Sequence, residues 1–138
     1  KPFNDHYGFR QGDRAISLFA TLLKAQSTSN NFIAHIGGDD FFVGFKETTY
    51  EKVYEVINEI QVDFMLKVKE LYSKDDQENG YISAKDRFGI ERKFNLLGVS
   101  SAIVEMNPNM NKNNFDLLLG QIKKESKKKT APYGVAIL

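Results

Sequence analysis

The chain has 138 residues, one domain's worth, with 41% hydrophobic and 27% charged residues, which is enough apolar mass for a core and too much for a disordered chain. Lys and Arg number 19 against 18 Asp and Glu, and a net charge of +1 excludes a polycation that binds nucleic acid through bulk electrostatics. The absence of Cys excludes disulfide scaffolds and thiolate zinc sites; no apolar run nears the ~18 residues of a membrane span, and Lys1 to Asp5 is no signal peptide, so a soluble cytoplasmic domain without membrane insertion is expected.

In chain order, residues up to Gly12-Asp13 read as a loop, because aromatic, Gly and polar residues alternate without a period. From Arg14 the positions Ile16, Phe19, Ala20 and Leu23 follow helical spacing. Phe32 to Ile36 and Phe41 to Phe45 flank Gly37-Gly38-Asp39-Asp40, a β-hairpin pattern. Thr48 with Glu51 forms a capping box for a long helix, whose apolar stripe is Val53, Ile57, Ile60, Phe64, Val68 and Leu71. Ser73 to Gly80 reads as a solvated loop, and Tyr81 to Ala84 with Ile90 to Phe94 as a second hairpin. Leu96 to Val104 suits a buried strand, Asn113 or Asn114 a helix cap before Phe115, Leu118, Leu119 and Ile122, and Tyr133 to Leu138 a last strand. The order predicts an α/β sandwich with a mixed sheet.

Three groups of residues carry chemistry. Gly37-Gly38-Asp39-Asp40 reads plainly as a tight turn. Yet two adjacent carboxylates at an apolar hairpin tip repel each other, offer hard oxygen ligands of the kind Mg²⁺ prefers, and stand beside glycines that let a phosphate approach the backbone. Asn4 and Asp13 are ordinary turn or cap residues when taken singly. Together, a donor–acceptor amide and an acceptor carboxylate can read the edge of guanine. Lys123 and Lys127, four apart, share a helix face. That face is either simply solvated or suited to a triphosphate. His6 and His35 read as structural.

Lys1-x-x-Asn4-Asp5-x-x-Gly8-x-x-x-Gly12-Asp13 resembles the first motif of GGDEF domains, the diguanylate cyclases, and Gly37-Gly38-Asp39-Asp40-Phe41 resembles their name motif. Phe115-Asp116 followed by Lys123 and Lys127 is similar to the family's final helix. The stretch Tyr72 to Phe94 resembles a branch of GGDEF domains joined to EAL and CBS domains. The resemblance implies a nucleotidyl-cyclase-like α+β sandwich over 1–138, with a mixed, largely antiparallel central sheet, a small extra hairpin and its first strand missing ahead of Lys1. It implies a bacterial signalling domain that condenses two GTP into cyclic di-GMP as a homodimer, or a degenerate GTP-binding domain that controls a tethered EAL phosphodiesterase, with CBS or other sensory domains as neighbours. By the same resemblance Asn4 and Asp13 bind guanine, while Asp39 and Asp40 hold Mg²⁺ or Mn²⁺ and serve catalysis. Gly37, Gly38, Lys123 and Lys127 hold phosphate.

The sequence departs from the family pattern at several positions. Asp40 stands where Glu is usual, Lys127 where Arg is, Phe9 where His is and Ser126 where Gly is. Thr28-Ser29-Asn30-Asn31 occupies the place of an inhibitory Arg-x-x-Asp site, so product inhibition of that type is not expected. The family's other metal-binding Asp lies on the strand expected upstream of Lys1, and a chain without it is expected to be unable to cyclise GTP.

Overall fold

Pro2 in the first turn opens a short helix, α1 (Pro2–Tyr7), in the computed structural model, which describes residues 1–86, 88–106, 109, 115–126 and 135–137. Gly8, at φ 86, breaks the helix in a conformation that glycine adopts freely, and its N–H donates to the Asn4 carbonyl (2.8 Å). The chain then re-enters a helix at once as α2 (Phe9–Ala25). Residues up to Asp13 are therefore helical rather than the expected loop, and α2 starts at Phe9 rather than Arg14. A six-residue helix shows no periodic stripe and is unstable alone, so its form comes from what it packs on.

The chain divides into two compact units, Lys1–Leu97 and Gly98–Leu138. In the first, α2 buries Gly12, Ala15, Leu22 and Leu23. The hairpin forms as expected, from β1 (Asn31–Gly37) and β2 (Asp40–Phe45), antiparallel, with an irregularity between His35 and Gly37. Next comes α3 (Tyr50–Val68), whose stripe holds: Ile60, Phe64 and Val68 are buried. Its cap is Thr49, which accepts from the Lys52 N–H (3.4 Å), and not Thr48. Either Thr is chemically competent as a cap.

After a 3-10 turn (Lys69–Leu71), the expected loop is instead a helix, α4 (Lys74–Asn79). Ser73 caps it by accepting from the Asp76 N–H (3.3 Å), and Gly80 ends it at φ 74, left-handed. The second hairpin, β3 (Tyr81–Lys85) and β4 (Glu91–Asn95), pairs antiparallel as expected. Asp86 organises its loop, accepting from the Phe88 N–H (2.8 Å), the Ile90 N–H (3.1 Å) and Arg92 Nε (2.5 Å). Chiefly because of Arg92, the Asp86 carboxyl titrates below its ordinary value of 3.8. Its contribution is thus present above that value and lost as the pH falls through the lowered one. Amide exchange should show residues 81–95 losing protection on acidification below pH 3.8, with Asp86→Ala already unprotected at pH 7.

In the second unit, β5 (Ser101–Ile103) and β6 (Val135–Ile137) pair in parallel, with α5 (Phe115–Ser126) between them in sequence. Ile103 and Ile122 are buried, and Ser126 Oγ donates to the Lys123 carbonyl (2.9 Å). The strand expected over Leu96 to Val104 is shorter, since the Leu97 N–H is already spent on the Tyr72 hydroxyl (2.7 Å). The proposed cap at Asn113 or Asn114 lies outside the described residues.

The α+β class holds, with parallel and antiparallel pairing both present. Among the described residues the strands form three two-stranded sheets rather than one continuous sheet. Each antiparallel pair is closed by a short local turn of small loop-closure entropy and leans on helices for support, Phe41 on Phe19 of α2 and β3 on α1 and α4.

Candidate nucleotide site

Four of the residues singled out by sequence sit at a two-residue hairpin turn. Gly37 pairs with Asp40 across it, and Gly38 (φ 54) and Asp39 form the tip. Gly37 itself has φ 144, so both glycines occupy backbone conformations that a side chain resists. Asp39 is exposed and Asp40 half-buried at the start of β2. His35 braces the turn: its ring stacks on Phe41 (4.4 Å, 10°) and its Nε2 lies 2.9 Å from the Gly38 carbonyl. Two neighbouring carboxylates fit a cation such as Mg²⁺, which is commonly held by one or two protein carboxylates with waters and substrate phosphates completing the octahedron. Among the described residues no group of three His, Cys, Asp or Glu is gathered for a metal.

Asn4 reaches the helix that carries Asp13 at Gly12. The Asn4 carboxamide lies against the Gly12 backbone, where an added Cβ would sit 2.9 Å from Asn4 Cγ and 3.1 Å from Nδ2. Asn4 therefore rests on α2 next to the residue that precedes Asp13, with Asp13 itself exposed. Gly12 thus leaves the room that Asn4 occupies, and a glycine costing ~1 kcal/mol inside a helix is the sequence signal for such a close approach.

The hairpin is tied to the same helix. Asn31, at the start of β1, donates from Nδ2 to the Gln26 carbonyl (2.8 Å) just beyond the end of α2. Further along, Phe41 packs edge-on against Phe19 of α2 (5.2 Å), which packs edge-on against Phe64 of α3 (5.5 Å). The hairpin is thus linked to α2 at two points, the start of β1 and Phe41 of β2.

The lysines that the sequence suggests for phosphate belong to the C-terminal part of the chain. Lys123 is exposed on α5 in the second unit, and Lys127 lies outside the described residues.

Sequence gives no hint of how α1 is held. Phe3 is buried and forms an aromatic triangle with Tyr7 (5.2 Å) and Tyr72 (5.1 Å), while Tyr7 and Tyr72 lie 5.4 Å apart. The Tyr7 hydroxyl donates to Asp76 of α4 and accepts from the Ser73 N–H (3.0 Å). His6 Nε2 stands 3.5 Å from the same Asp76 carboxylate. The Tyr7 hydroxyl, with help from Ser73 and His6, holds the Asp76 carboxyl below its ordinary value against the opposing effect of burial. Burial pushes the Tyr72 phenol up to about 12, so it stays protonated at neutral pH.

Among the described residues no helix is long and apolar enough to cross a membrane. No curated protein and no solved structure gives a significant match to this chain. One family model does match, described as diguanylate cyclase, GGDEF domain, over residues 1–87, which span α1, α2, both helices α3 and α4, the acidic hairpin and β3. The match ends before α5 and its lysines. With well over half its length matched, the chain belongs to the GGDEF family and carries a diguanylate cyclase-type signalling domain.

Proposed function

We propose that this domain binds GTP with a divalent cation and that, in the intact protein, two such domains in an antiparallel pair condense two GTP molecules into cyclic di-GMP. The observation that supports the reading is the seating of the Asn4 carboxamide on Gly12, one residue before Asp13, on the helix that also packs against Phe41 of the acidic hairpin. Asn4 and Asp13 read the guanine edge, the amide supplying a donor and an acceptor and the carboxylate an acceptor for ring N–H groups. Asp39 and Asp40 hold Mg²⁺ or Mn²⁺, and the backbone at Gly37 and Gly38 admits the phosphates. Lys123 and Lys127 neutralise phosphate charge.

A bound divalent cation supplies Lewis-acid stabilisation of charge on the α-phosphate and favours the alkoxide form of the attacking hydroxyl. Each ribose 3′-oxygen forms a bond to the other nucleotide's α-phosphorus, the bond to the β-phosphate oxygen breaks, pyrophosphate leaves and the hydroxyl proton passes to solvent. The chain's own work is positioning and charge neutralisation.

A second reading rests on Asp40. Its carboxylate is one methylene shorter than the family's Glu, about 1.5 Å, and its backbone is fixed by pairing with Gly37. A misplacement of ~1 Å can cost ~100-fold in rate, which leaves binding intact while turnover fails. The domain is then a GTP-binding regulator of a tethered EAL phosphodiesterase.

The intact protein incubated with GTP and Mg²⁺, followed by mass detection, separates the two. Cyclic di-GMP establishes the first reading. Bound GTP without product, together with a GTP-dependent change in phosphodiesterase rate, establishes the second. Absence of GTP binding defeats both.

A further inference from the structure

Helix α1 carries Asn4, yet at six residues it cannot hold its own orientation. Beside its packing on β3, two sets of side-chain contacts on adjoining faces hold it. Asn4 rests on Gly12 of α2, while Phe3 and Tyr7, one helical turn apart and on one face, pack against Tyr72 and α4. The polar part of that second contact is built rather than incidental. Asp76 receives the Tyr7 hydroxyl and faces His6 with only 16% of its side chain exposed, and Ser73 both caps α4 and donates its backbone N–H to Tyr7.

We propose that α4 is the positioning element for base selection: Asp76 and Ser73, by clamping Tyr7, hold α1 at the angle that keeps the Asn4 amide over Gly12 and aimed at the guanine edge. The inference rests on the guanine-binding reading above and adds to it residues that never touch the nucleotide. Hydrogen bonds weaken steeply once the heavy atoms part beyond ~3.2 Å, so a small tilt of α1 is enough to lose the Asn4 contact. Tyr7, Ser73 and Asp76 are thus positioning residues whose loss shows in which base is chosen, not in how tightly phosphates are held.

The test is calorimetric titration of the full chain with GTP, ATP and magnesium tripolyphosphate, using wild type, Tyr7→Phe and Asp76→Asn. Tyr7→Phe keeps the aromatic triangle and removes only the hydroxyl; Asp76→Asn keeps the side-chain shape and serves where the first variant folds poorly. The expected result is a loss of about tenfold in GTP affinity in both variants, the size of one hydrogen bond to the base, with ATP and tripolyphosphate affinities unchanged. Unchanged GTP affinity in both variants overturns the proposal. An equal loss for all three ligands, following the fall in Tm, overturns it too, because the clamp is then merely structural. Asp13→Ala is the control for the reading beneath it. If wild type shows no preference for GTP, or Asp13→Ala keeps that preference, the guanine site itself is wrong and the inference falls with it.

Discussion

Replacing Gly12 by Ala should lower GTP affinity ~10- to 100-fold while leaving α2 as helical as before, or more so. Inside an exposed helix this substitution ordinarily stabilises by ~1 kcal/mol, because Ala loses less backbone entropy than Gly. Here the new methyl enters the space of the Asn4 carboxamide, within 2.9 Å of Cγ. Asn4 or the whole of α1 must move aside, since the helix backbone beneath is the stiffer partner. Function and helix propensity therefore change in opposite directions, a combination that a general loss of stability does not produce. Titration with GTP alongside circular dichroism checks it, and undiminished affinity would mean that Asn4 takes no part in binding.

Phe64→Ala should cost about 3–5 kcal/mol in folding free energy. Phe64 is 4% exposed and supports Phe19, which in turn supports Phe41. A cavity at that point removes the ring that sets Phe19, so the hairpin loses its anchor on α2 as well as the core losing volume. Denaturant unfolding measures the first effect, and faster amide exchange at residues 40–45 the second. A loss under 1 kcal/mol would show that the three rings are not a continuous support.

Local chemistry explains which parts of this fold are legible in sequence. The acidic hairpin is written in its glycines and flanking phenylalanines, and the stripe from Val53 to Leu71 in its spacing. Both features repeat over enough residues to stand above neighbouring signals. Helices α1 and α4 have six residues each and no stripe, and their marks are single residues: Pro2 and Gly8 for one, Ser73 and Gly80 for the other. Such marks are equally those of a loop until tertiary contacts decide. The Thr48–Thr49 ambiguity has a similar origin, two competent caps side by side that residue type does not tell apart. For the site, the identities of Asn4, Asp13, Asp39 and Asp40 stand out by residue type. The support by Phe19 and the clamp by Tyr7, Ser73 and Asp76 bridge 22 and 69 positions of sequence separation, which no local pattern encodes.

The most direct measurement of the central claim is the Mg²⁺ dependence of nucleotide affinity in wild type, Asp39→Asn and Asp13→Ala. If the acidic turn and the pair at Gly12 serve one nucleotide, Mg²⁺ strengthens GTP binding in wild type by at least about tenfold through the added carboxylate–metal–phosphate bridge. That gain then vanishes in Asp39→Asn, and the preference for GTP over ATP vanishes in Asp13→Ala. A Mg²⁺ gain that survives Asp39→Asn, or a GTP preference that survives Asp13→Ala, would contradict the account.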